Sequence, residues 1–155
     1  MLKILFVCLG NICRSPLAEA IFKDKIQKKG LQGAFKVDSA GTGHWHVGSN
    51  PDPRSVAVAE KNNVPIQHIG RQFSFDDTEF DYILAMDSDN LRTILNVLGS
   101  QHEGLYLMRY FDELQKEADV PDPYYGGDDG FQHVFDILDR SCDTLLNFLI
   151  EKHNL

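Results

Sequence analysis

The chain has 155 residues, 43% of them apolar and 25% charged, and carries a net charge of −8. That length suits one well-buried core and is too short for two comfortable domains, so residues 1–155 are expected to fold as a single domain. No stretch approaches the apolar length of a membrane span, and the acidic balance argues against nucleic acid, whose binding rests on phosphate neutralisation by Lys and Arg.

Leu2 to Val7 reads as a near-continuous apolar strand, the pattern of a sheet covered on both faces. Ile4 to Leu9 is too short for a secretory signal, only Lys3 precedes it, and no small-residue cleavage site follows. Ser15 is the expected N-cap of the next helix, with Pro16 at its first helical position. Leu17, Ala18, Ile21, Phe22 and Ile26 form its apolar face, Glu19, Lys23 and Gln27 its watery one, and Gly30 its stop. Phe35 to Ala40 is a second strand. A loop rich in Gly, His and Asn leads to Asp52-Pro53, an N-cap and first-turn proline for a helix ending near Asn62 or Asn63. Phe80 to Met86 is the third strand, and Asp87 or Ser88 caps a helix carrying Leu91, Ile94, Leu95 and Leu98 up to Gly99. Leu105 to Met108 is the fourth. After a loop from Phe111 to Gly130, a final helix carries Val134, Leu138, Cys142, Leu145 and Leu149 as one stripe. Alternating apolar strands and helices predict a doubly wound α/β fold, a Rossmann-like four-stranded parallel sheet flanked by helices. Such sheets bind ligands beyond the carboxyl ends of their strands, where the strand order switches.

One such end carries the most informative residues, Cys8-Leu9-Gly10-Asn11-Ile12-Cys13-Arg14-Ser15-Pro16, a C-x5-R pattern at a strand-to-helix turn. Backbone N–H groups converge there and the helix dipole points its positive end outward, so the turn is an anion site within an acidic protein. Thiolate, not thiol, is the nucleophile, and a helix N-terminus beside an arginine favours it. Arg14 supplies a planar, always-charged fork matched to a phosphoryl group. Gly10 permits a close approach or a positive φ, and Asn11 tolerates the left-handed conformation. Leu9, Gly10, Asn11, Ile12, Cys13 and Ser15 are the expected phosphate-binding set. Three cysteines form no disulfide framework, which makes a reducing, cytoplasmic setting the expectation. His44 and His46 flank Trp45 like a metal pair, but no third ligand is evident, so no metal and no cofactor is expected. Cys142, on the stripe of the last helix, is core.

With Asp122-Pro123-Tyr124-Tyr125-Gly126 far downstream, the N-terminal motif resembles the low-molecular-weight protein tyrosine phosphatase family. Ser39-Ala40-Gly41, Pro51-Asp52-Pro53-Arg54, His68, Arg71-Gln72 and Phe80-Asp81-Tyr82-Ile83 extend the likeness along essentially the whole chain. The resemblance implies a metal-free, two-step hydrolysis of aryl phosphates. Cys8 attacks phosphorus, Arg14 and the loop amides hold the equatorial oxygens, and Asp122 acts first as general acid and then as base. It further implies that Asn11, Ser39 and His68 support the loop and that Ser15 bonds the thiolate. Trp45, Tyr124 and Tyr125 then wall a slot for the ring, and Cys13 forms a reversible disulfide with Cys8 on oxidation. The implied partners are tyrosine-phosphorylated proteins or peptides, with neither nucleic acid nor membrane, and the expected state is a monomer capable of weak dimerisation.

Three other readings share the pattern. An arsenate reductase needs relay cysteines near the third strand, where the chain reads Ala85-Met86-Asp87. A phosphoarginine phosphatase is expected to carry threonine where Ile12 stands. A catalytically dead phosphate-binding module would have lost Cys8, Arg14 or Asp122, and all three are present.

Overall fold

In a computed structural model of the chain, residues 1–155 are described, the side chain of Asp128 excepted. Four strands, β1 (Leu2–Cys8), β2 (Phe35–Gly41), β3 (Tyr82–Ala85) and β4 (Leu105–Leu107), form one sheet in the order β2-β1-β3-β4. Every pairing is parallel, with Phe6 opposite Ser39 and Leu84, and Cys8 opposite Gly41. The doubly wound expectation therefore holds. The order switches on either side of β1, so the chain leaves its carboxyl end into the crevice where such sheets take ligands.

The period of β1 explains the two-sided core. Ile4, Phe6 and Cys8 join a cluster containing Leu17, Phe22, Leu138 and Leu145, whereas Leu5 and Val7 join Phe80, Ile83, Ile94 and Leu98 on the other face. Helices α1 (Arg14–Lys28), α2 (Pro53–Lys61) and α4 (Asp128–His153) cover the first face and α3 (Ser88–Leu98) the second. Fully burying one Phe or Leu side chain contributes about 2 kcal/mol, so β1 is a principal anchor of the fold. No helix is long and apolar enough to cross a membrane among the described residues.

Several boundaries behave as expected. Asp52 caps α2 by accepting from the Arg54 N–H, Asp87 caps α3 by accepting from the Asn90 N–H, and Gly99 ends α3 with φ 73°. Others differ. Ser15 is not an N-cap: α1 begins at Arg14, its cap position is Cys13, and Pro16 lies third in the helix. The buried Ser15 hydroxyl is drawn instead to the Cys8 thiol and to Asn11. Glu19 does not face water but is 3% exposed, because its turn of α1 lies against Ser39 of β2 and His68 of a later loop, both of which engage its carboxylate. The third strand is shorter than its apolar run, since Phe80 closes a 3-10 turn by donating to Asp77 O. Met108 opens another 3-10 turn rather than ending β4. The last helix begins at Asp128, with Gly130 inside its first turn and Gly127 at its cap.

Candidate active site

The turn between β1 and α1 wraps around the Cys8 sulfur. Asn11 N–H donates to Cys8 Sγ at 3.3 Å, and Ser15 Oγ lies 3.0 Å from the same sulfur. The positive φ of the loop, 58°, falls on Asn11, as its tolerance of that region allows. Gly10 has no positive φ; a Cβ there would stand 3.1 Å from His46 Cδ2, a tight contact that a small shift of that ring relieves. A second glycine shapes the loop from outside. A Cβ on Gly41 would lie 2.8 Å from Leu9 O, and the chain leaving β2 passes so close that Thr42 and Gly43 donate to Cys8 O and Leu9 O.

Asn11 is held by every hydrogen-bonding position of its amide. Its Nδ2 donates to Ser15 Oγ at 2.8 Å and Ser39 Oγ at 3.1 Å, while its Oδ1 accepts from His68 Nε2 at 2.7 Å and Arg71 N–H at 3.0 Å. Ser39 in turn donates to Glu19 Oε1 at 2.7 Å, and His68 Nδ1 lies 3.1 Å from that oxygen. The structure thus brings Asn11, Ser39 and His68 together and adds Glu19. Burial alone would raise the Glu19 pKa, but His68, Lys23 and Ser39 outweigh it and hold the carboxyl below the usual range. Glu19, Asp38 and His68 bring donor atoms within 4.8 Å of one another, a spacing that a metal site also uses. Lys23 and Ser39 already engage Glu19 and Arg71 engages Asp38, so the cluster is satisfied without an ion.

Arg14 is 2% exposed and pinned at one end. Its Nη1 donates to Asp87 Oδ2 at 2.7 Å and to Val120 O at 3.0 Å, and its Nη2 lies 3.6 Å from Asp122 Oδ2. Its Nε is buried and has no hydrogen-bond partner among the described residues. Burial opposes the charge, yet Cys8, Asp87 and Asp122 together raise its pKa above the ordinary arginine value. Cys13 is the opposite case: burial first, then the charges of Asp52 and Cys8, push its thiol up to about 12. Cys142 is raised further by complete burial in the core. All three cysteines are free thiols.

Above the cradle lies a cavity of about 350 Å³, lined by Cys8, Leu9, Gly10, Ile12, Cys13, Arg14, Trp45, His46, Asp122, Tyr124 and Tyr125. The three aromatics expected as walls all line this cavity. Trp45 is 66% exposed and stacks on His44, and Tyr124 meets Tyr125 edge-on with centroids 4.9 Å apart. Asp122 hangs over the pocket on a loop in which Tyr124 N–H donates to its Oδ1 at 3.0 Å. Sequence reasoning missed Glu19, Gly41, the pairing of Asp87 with Arg14, and His46 as a wall. Asp87 carried a signal only as a cap, and Gly41 only as part of Ser39-Ala40-Gly41.

A thiol and a guanidinium at the foot of an aromatic-walled pocket put the molecule among cysteine-based phosphatases. Known relatives narrow that class. Residues 3–155 match the low molecular weight phosphotyrosine protein phosphatase family. A member from Schizosaccharomyces pombe is 49% identical over 134 residues, covering 84% of this chain and 85% of its own. The crystal structure of a protein tyrosine phosphatase from Entamoeba histolytica, with Hepes in its active site, superposes with a TM-score of 0.92 at 40% identity over 100% of both chains. A Drosophila arginine phosphatase gives a TM-score of 0.86 at 36% identity, covering 95% of this chain and 97% of that one. The chain belongs to the low molecular weight phosphotyrosine protein phosphatase family.

Proposed function

We propose that the protein hydrolyses phosphotyrosine in proteins or peptides, and small aryl phosphates, through a phosphocysteine and without a metal. The observation that carries this reading is Arg14: a buried guanidinium fixed by Asp87 and Val120 O, with an unpartnered Nε beside the Cys8 loop. A buried N–H without an acceptor costs about 1–3 kcal/mol, and a phosphoryl oxygen relieves that cost. In the first step Cys8 sulfur forms a bond to phosphorus as the bond to the phenolic oxygen breaks. Arg14 and the loop amides hold the equatorial oxygens, where preorganised donors stabilise charge best. Asp122 gives its proton to the departing phenolate. In the second step it takes a proton from water, whose oxygen displaces the sulfur and releases inorganic phosphate. Ser15 and Asn11 N–H stabilise the thiolate that leaves.

Ring selectivity follows from Trp45, Tyr124, Tyr125 and the apolar Ile12 around the cavity. Ile12 also favours phosphotyrosine over phosphoarginine, although arginine phosphatases are among the structural relatives. A monomeric state and residence in a reducing, cytoplasmic setting belong to the same reading, the setting because three cysteines offer no disulfide framework. Under peroxide, Cys8 passes to the sulfenic acid and the Cys13 thiol displaces water to form the disulfide.

The test is turnover of p-nitrophenyl phosphate in EDTA with vanadate as inhibitor, followed by phosphotyrosine, phosphoserine and phosphoarginine peptides and arsenate. Chelator-resistant, vanadate-sensitive activity confined to the aryl esters is expected. An inert protein, or preference for phosphoarginine or arsenate, overturns the reading.

A further inference from the structure

Arg54, the third residue of the Asp52-Pro53-Arg54 start of α2, makes more contacts than a helix terminus requires. Its backbone N–H and Nε donate to Asp52 Oδ1 at 2.8 and 3.1 Å, and its Nη2 donates to Asp52 Oδ2 at 2.9 Å. The same Nη2 donates to Tyr124 O at 3.1 Å. The guanidinium carbon also lies 5.5 Å from the Tyr124 ring centroid and 4.6 Å from that of Phe131, a buried residue of α4. One planar cation therefore joins three parts of the chain: the N-terminus of α2, the Asp122 loop and the start of α4.

Three further bonds connect that corner of the fold to the chemistry. On one side Asp52 N–H donates to Ile12 O, within the loop around Cys8, and Ser55 Oγ donates to Cys13 O. On the other side Tyr124, whose carbonyl Arg54 holds, donates its own N–H to Asp122 Oδ1. That bond occupies one carboxylate oxygen and leaves Oδ2 toward the pocket and Arg14. A continuous series of bonds thus runs from Ile12 through Asp52, Arg54 and Tyr124 to Asp122.

We propose that Arg54 is a positioning residue for the leaving-group step, holding the Asp122 loop in register with the Cys8 loop by clamping Tyr124. The inference rests on the reading of Asp122 as the general acid. Arg54 itself touches neither sulfur nor phosphorus. Its planar fork serves Asp52 and Tyr124 at once, which the point charge of a lysine cannot do. A displacement of the acid by about 1 Å costs as much as 100-fold in rate, so loss of the clamp is felt at the leaving oxygen.

The experiment compares kcat/KM on phenyl phosphate, a poor leaving group, with p-nitrophenyl phosphate, a good one. It uses Arg54→Lys, Arg54→Gln, Asp122→Asn and the Arg54→Lys/Asp122→Asn double variant, with the Ki of inorganic phosphate as a reading of the Cys8 loop alone. Both Arg54 variants are expected to lose roughly 10-fold or more on phenyl phosphate and far less on p-nitrophenyl phosphate. Phosphate Ki stays unchanged, and Arg54→Lys adds no leaving-group-dependent loss once Asp122 is gone. Equal losses on both esters, or an undiminished effect in the Asp122→Asn background, overturn the proposal while leaving the acid assignment intact. If Asp122→Asn itself shows no leaving-group dependence, the acid assignment fails and the positioning role falls with it. Arg54→Lys keeps the charge beside Asp52, so the comparison survives if Arg54→Gln does not fold.

Discussion

The two loops that meet at the pocket are held in different ways. The Cys8–Ser15 turn is enclosed: Asn11, Arg14 and Ser15 are buried, and Asn11 alone makes four side-chain hydrogen bonds. The Asp122 loop is open. Tyr125 is 92% exposed, and the loop's own bonds are few, among them Tyr124 N–H to Asp122 and Gly126 N–H to Pro123 O. Its fixity comes from outside, from Arg54 on one side and, on the other, from a strap of residues 112–119 that leads into Val120. Val120 N–H donates to Met86 O, and Arg109 Nη1 donates to Asp119 O at 3.1 Å. The division fits the chemistry proposed for each. An oxyanion cradle gains from donors fixed before substrate arrives, whereas an acid must admit the ring, give up a proton and let the product leave.

That contrast can be tested, beginning where the largest effect is expected. Cys8→Ser removes the nucleophile and lowers aryl phosphate turnover by about four orders of magnitude or more, while equilibrium phosphate binding, measured by calorimetry, survives. Asp122→Asn costs roughly 10²–10⁴-fold on phenyl phosphate and far less on p-nitrophenyl phosphate. Equal losses on the two esters would erase the functional distinction between the loops. Glu19→Gln strikes the support of the cradle and lowers stability to urea unfolding by about 2 kcal/mol, the worth of a hydrogen-bonded buried charge. Because the folded Glu19 pKa is depressed, this contribution is present above the usual glutamate range and fades as pH falls through the depressed value.

The effect confined to the narrowest range of pH belongs to the strap. Asp112 accepts from Arg109 Nε and from Arg140 Nε, each at 2.8 Å, and from Leu114 N–H at 3.0 Å. Burial works against its charge, but Arg140, Leu114 N–H and Arg109 prevail and lower its pKa from 3.8 to about 2. The shift corresponds to about 2 kcal/mol of stability at neutral pH. It is fully present above the unfolded pKa and is lost as pH falls toward 2. Asp112→Asn should flatten the pH dependence of the unfolding free energy in that window, and an unchanged slope would remove Asp112 from the account.

How much of this could be read from the chain depends on how local the cause is. β1, the caps at Asp52 and Asp87, and the C-x5-R turn depend on near neighbours, so pattern and turn chemistry reveal them. Glu19 defeats that reasoning. Helical periodicity sends a charged residue to water, and only the sheet pairing that sets Ser39 beside α1, with His68 from a later loop, makes its burial favourable. Ser15 fails for a related reason: its local role as a cap competes with a thiol at the end of β1, and the buried thiol prevails. The pairing of Asp87 with Arg14 joins the ends of two adjacent strands, a relation no sequence window contains. Arg54 was visible inside a motif, but its contact with Tyr124 depends on how α2 meets the loop before α4.

If the Cys8 loop captures phosphate as proposed, the narrow passage at Gly41 makes that capture a property of the closed sheet, not of the segment that bears the sulfur. A synthetic peptide of residues 1–30 would contain Cys8, Arg14 and every intervening amide, yet lack the strand exit that clasps Leu9 O. Such a fragment is expected to show no measurable vanadate affinity in a titration where the full chain saturates. On that expectation, the proposed nucleophile would stay unarmed during synthesis until the second strand has emerged and docked.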